Sequence, residues 1–81
     1  MEEKLFKYFF ITYDNCEVVK IEPVPGVHVY KCVVAVIDFL RRYKIDGEFV
    51  LRFNDKDLLV SQKSLPEDVV KQYWQTKEHV L

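Results

Sequence analysis

Apolar residues along the chain fall into six stretches, and the spacing inside each predicts an element. Residues 5–13, LFKYFFITY, are mostly β-branched or aromatic and predict a strand. Alternation puts Leu5, Lys7, Phe9, Ile11 and Tyr13 on one face and Phe6, Tyr8, Phe10 and Thr12 on the other. Both faces are largely apolar, so the strand is expected to lie centrally in a sheet or to have its second face covered from outside the monomer. Asp14-Asn15 follows as a turn, because both side chains bond to the local backbone and tolerate turn geometry. Residues 17–22, EVVKIE, return as the second strand of a hairpin. Pro23 and Pro25 stop that strand, and Gly26 frees the backbone to change direction.

The longest apolar run is residues 29–44, VYKCVVAVIDFLRRYK. In helical projection Lys31, Asp38 and Arg42 form a narrow polar stripe. Val29, Tyr30, Cys32, Val33, Val34, Val36, Ile37, Phe39, Leu40 and Tyr43 are left needing cover, which predicts a buried helix. β-branched residues make strand and helix hard to separate by period alone, but the length of the run and its basic last turn favour helix. Residues 48–53, EFVLRF, alternate, turn through Asn54-Asp55-Lys56-Asp57 and return over 58–61 as a second hairpin. Ser64-Leu65-Pro66-Glu67 then reads as a capping box, with Ser64 as N-cap, Pro66 in the first turn and Glu67 three residues on. It opens a last helix from Leu65 to about His79, with Val69, Val70, Tyr73 and Trp74 as its apolar stripe.

This order, ββαββα, predicts an α+β fold over residues 1–81. The expected form is a four-stranded, mostly antiparallel sheet with two helices on one face, its strand order left open. The length allows one domain with a modest core. A hydrophobic fraction of 49% and an aromatic fraction of 15% suffice for that core and argue against disorder. The net charge of −1 argues against a dedicated nucleic-acid binder. The acidic start Met-Glu-Glu and the lack of a long uncharged apolar run lead us to expect a cytoplasmic, reducing setting without membrane association.

Cys16, His28, Cys32 and His79 supply the composition of a zinc site, but their spacing matches no paired-cysteine or finger pattern, so no metal and no cofactor are expected. Cys32 with His28, spaced i, i+4, is the nearest approach to a catalytic pair. It lacks an open cleft and an oxyanion site, and no enzyme is expected. Glycine is too scarce for a phosphate loop, and the acidic turn at 54–57 lacks the later ligands of a calcium loop.

The leading expectation is a small non-enzymatic protein-protein interaction domain, a regulator, adaptor or inhibitor, the phage or mobile-element kind included. It would act as a homodimer, with Phe6, Tyr8, Phe10 and Trp74 as partner-binding residues. The alternative is a nucleic-acid-associated protein using the basic end of the central helix at Arg41, Arg42 and Lys44, residues that also suit a helix C-terminus by charge alone.

Overall fold

Residues 5–13 do not run as one strand. The computed structural model, which describes residues 1–75, breaks this stretch at Lys7-Tyr8 into β1 (Glu2–Phe6) and β2 (Phe9–Asp14). The two pair antiparallel, with Phe6 opposite Phe9 across the two-residue loop. The loop is tied from behind, because the Val24 N–H donates to the Tyr8 carbonyl at 3.0 Å. The acidic start, which precedes the strand predicted at residues 5–13, is thereby drawn into the sheet.

The remaining elements are β3 (Glu17–Pro23), α1 (Val29–Arg42), β4 (Phe49–Phe53), β5 (Lys56–Val60) and α2 (Pro66–Trp74). The sheet is five-stranded rather than four-stranded, in the order β1-β2-β3-β4-β5. It is mixed: neighbours are antiparallel except β3 and β4, which run parallel with Ile21 beside Leu51. A parallel pair needs a crossover, and α1 supplies it. Loop chemistry explains the two later hairpins. Asn15 and Cys16 (φ 53 and 66) and Asn54 and Asp55 (φ 49 and 67) take left-handed backbone, the two-residue geometry that matches strand twist.

One row of side chains shows where the core sits. Ile11, Ile21, Leu51 and Leu58 are cross-strand neighbours from β2 to β5, each no more than 1% exposed. Full burial of side chains this size contributes about 1.5–3 kcal/mol each. Above the row, α1 presents Val29, Cys32, Val33, Val36, Ile37 and Leu40, the i, i+3, i+4 spacing of a single face. The helix is thus one-sided and not covered all round: Tyr30, Val34 and Tyr43, expected to be buried, are exposed. The second helix packs against α1 and β5 and buries Val69.

The capping box does not form. Leu65 is the N-cap of α2 and makes no side-chain cap bond, while the Ser64 hydroxyl accepts from the Ser61 N–H at 2.9 Å and closes the 61–64 turn. Pro66 still opens the helix, and Glu67 and Asp68 place negative charge against its N-terminal dipole. The helix stops at Trp74, where Gln75 turns extended (ψ 143); the expected continuation to His79 lies outside the described residues.

Candidate protein-interaction surface

Both helices lie on the side of the sheet that carries Ile11, Ile21, Leu51 and Leu58, so no described element covers the opposite side. Leu5 stands directly across from Phe10, and Val50 directly across from Leu59, on that uncovered side. Leu5, Val19, Val50 and Leu59 are 60%, 51%, 50% and 48% exposed. Val19 reaches the surface because a bulge at Thr12/Tyr13 adds one residue to β3 between its pairings with β2. Phe10, Val19, Glu22, Val50 and Arg52 line a shallow trough across the face. Ion pairs interleave with the apolar residues: Arg52–Asp57 at 3.4 Å and Lys20–Glu22 at 3.3 Å.

The residues expected to bind a partner are distributed differently from the reading of one continuous strand. Phe6, Tyr8 and Phe10 do not share a face, because the Lys7-Tyr8 loop reverses the chain between them. Phe6 turns to the helix side, its ring centroid 5.4 Å from that of Phe9 and 4.8 Å from that of Phe39. Tyr8 sits in the loop, half-buried, with the Lys7 ammonium 5.3 Å from its ring. Phe10 alone of the three faces the uncovered side. Trp74 is 65% exposed at the end of α2, edge-on to Tyr73. Leu5, Val50 and Leu59 were missed, although alternation in the last hairpin did carry a signal for Val50 and Leu59.

The two edges of the sheet are treated unequally. On β5, the Leu59 N–H donates to Gln72 Oε1 at 2.8 Å, and Gln72 Nε2 donates to the Leu59 carbonyl at 3.1 Å. Nearby, Lys56 Nζ donates to the Tyr73 carbonyl at 2.8 Å, and Asn54 Nδ2 to the Tyr73 hydroxyl at 2.9 Å. A helix therefore covers this edge. No described element packs outside β1.

The basic end of α1 is largely committed within the chain. Arg41 donates through Nε to the Gln62 carbonyl at 2.7 Å and through its terminal nitrogen to the Ser64 carbonyl at 3.0 Å. Arg42 pairs with Asp38 at 3.1 Å, one turn back. Lys44, with left-handed backbone (φ 53), makes neither an ion pair nor a side-chain hydrogen bond among the described residues.

Cysteine and histidine do not converge among the described residues. His28 is the N-cap of α1, its Nδ1 accepting from the Tyr30 N–H at 3.1 Å. Cys32 is fully buried in the core, and burial pushes its thiol up to about 12. Cys16 lies exposed in the β2–β3 loop, and His79 is outside the described residues. No three of the described His, Cys, Asp and Glu residues are grouped to hold a metal ion. No described helix is long and apolar enough to cross a membrane. Comparison with protein-family models, with curated proteins and with solved structures finds no match to the chain.

Proposed function

We propose that the chain is a small non-enzymatic protein-interaction domain that works as a homodimer and presents its uncovered sheet face to another protein, as a regulator, adaptor or inhibitor does. The observation that carries this reading is the exposure of Leu5, Val19, Val50 and Leu59 beside Phe10 on the side opposite both helices. Apolar side chains gathered on one face, with charged pairs around them, have the composition of a contact surface. Trp74 adds an exposed aromatic of the kind enriched among binding anchors. The non-enzymatic part is supported by the chemistry of the thiol one helical turn from His28. A buried Cys32 with its thiol pushed up to about 12 does not supply a thiolate near neutral pH.

The test uses Val50→Glu together with Leu59→Lys. These residues face each other, so the pair replaces two apolar groups by opposite charges and keeps a favourable cross-strand contact. Affinity capture from cells that express the protein should retain a protein on the wild type that is lost on the double variant at unchanged circular dichroism. Identical retained proteins would overturn the partner-binding face. Light scattering over a concentration series tests the homodimer separately, and a monomeric mass throughout would remove it.

A further inference from the structure

We infer that the homodimer forms at the β1 edge, by antiparallel pairing of β1 with β1 of a second copy about a two-fold axis through Leu5. This assignment rests on the homodimer reading above and adds its surface and register. β1 and β5 are the two ends of the sheet, and among the described residues only β5 has its outward backbone groups engaged, by Gln72. In a two-residue hairpin the pair closing the loop is hydrogen-bonded and the pairs alternate from there. Phe6 and Phe9 close this loop, so Lys4 and Phe6 bond to β2 while the N–H and C=O groups of Glu3 and Leu5 point away from the sheet. β1 contains no proline and no bulge. It is an open template for another strand.

The charges of β1, EEKLF, select the occupant and its register. A two-fold axis places the residue it passes through against its own copy. Glu2, Glu3 or Lys4 on the axis meets an identical charge, which is destabilising for directly opposed residues. Phe6 on the axis slides the strands until Phe6 alone remains in the overlap of the two β1 strands. With Leu5 on the axis, Leu5 faces Leu5 and Lys4 faces Phe6 of the second copy, Glu3 comes level with Lys7 in the second copy's β1–β2 loop, and no like charges oppose. The Lys4 ammonium already lies 5.9 Å from the Phe6 ring of its own chain, so the contact with a second Phe6 extends an existing one. On the uncovered face, Leu5 and Phe10 of each copy meet across the axis as one apolar group.

The test is sedimentation of the full chain from micromolar to millimolar concentration, comparing wild type, Glu3→Lys, Lys7→Glu, the double variant, and Leu5→Pro. Each single charge reversal sets two like-charged pairs against each other in the dimer and should weaken dimerisation by about tenfold or more. The double variant restores both pairs and should return to within about threefold of wild type. Leu5→Pro removes an outward N–H and leaves the β1–β2 bonds in place, so it should abolish the dimer. Should that variant fail to fold, the charge reversals carry the test alone. A wild type that is monomeric at every concentration removes both the homodimer and its edge. A dimer untouched by Glu3→Lys and Lys7→Glu, or not rescued in the double variant, overturns the β1 edge and leaves the homodimer standing.

Discussion

Gln72 holds Leu59 by both of its backbone groups, accepting the N–H at 2.8 Å and donating to the carbonyl at 3.1 Å. A side-chain amide carries a donor and an acceptor at its tip and so imitates the backbone of a neighbouring strand. The last strand of the sheet is thereby satisfied by a helix. Gln72→Ala should cost about 1–2 kcal/mol, because each net hydrogen bond is worth about 0.5–1.5 kcal/mol and these two are accessible to water. It should also add a second open edge. Urea unfolding reads the first effect, and growth of species larger than the wild-type assembly reads the second. Loss of stability without further association would mean that the exposed charges of β5 protect the edge by themselves.

Legibility in the sequence followed the distance over which each signal acts. That α1 is a helix is readable from the length of its apolar run, but its buried face is not, since Tyr30, Val34 and Tyr43 are as apolar as Val29, Cys32, Val33, Val36, Ile37 and Leu40 and yet lie exposed. The β4–β5 turn is readable because Asn54 and Asp55 accept left-handed backbone. The β1–β2 turn is not, since Lys7 and Tyr8 are ordinary strand residues that reverse direction with no positive φ. Missing that turn cost a strand and assigned Phe6 and Phe10 to one face when they occupy opposite faces. Ser64 shows another limit: the capping pattern is present, but Ser61 competes for the same hydroxyl. The parallel β3–β4 pairing depends on where α1 lays its apolar face, which no local pattern encodes. The uncovered face was legible only as an excess of apolar positions and not as the particular residues Leu5, Val50 and Leu59.

Adjacent arginines on α1 should behave differently. Arg41 uses its planar fork on the Gln62 and Ser64 carbonyls and fastens the loop that delivers α2. Arg41→Ala should destabilise by about 1–3 kcal/mol, hydrogen bonds to a charged donor being worth more than neutral ones. Arg41→Lys should recover only part of this. Arg42 makes an exposed i, i+4 pair with Asp38, and Arg42→Ala should cost no more than about 0.5 kcal/mol. Denaturant titration of the three variants checks the order, and equal losses at both positions would contradict it.

His28 caps α1 with a ring nitrogen, and the first turn of that helix holds no acidic residue. His28→Asp should improve on it, since a carboxylate accepts the same N–H and sets negative charge against the dipole. The expected gain is about 1 kcal/mol, or a rise in Tm of about 4–8 °C for a domain of this size. His28→Ala should shift Tm the other way. Thermal melts in which both variants move together would show that the His28 contact does not act as a cap.

Cys32 gives the fold a dependence on alkaline pH whose sign follows from burial. Its thiol is raised from 9.0 to about 12 in the native state by desolvation, the neutral form being favoured where water is excluded. Above 9.0 the unfolded chain releases this proton while the folded chain keeps it, so the unfolded state binds fewer protons and stability falls as pH rises. The contribution is complete below 9.0 and is lost progressively as pH climbs toward about 12, at a limit of about 1.4 kcal/mol per pH unit. Tyr13 is raised by burial and by Tyr43, and acts in the same direction. Cys32→Ala leaves the effect of Tyr13 in place and removes that of the thiol, so the difference between the two proteins isolates Cys32. The variant should be the less stable protein at neutral pH, because it leaves a small cavity beneath α1. The gap should narrow steadily above pH 9.0 as only the wild type loses the thiol contribution. Urea midpoints for both proteins across this range make the comparison. A gap that stays constant would mean that the Cys32 site opens to water before the thiolate forms.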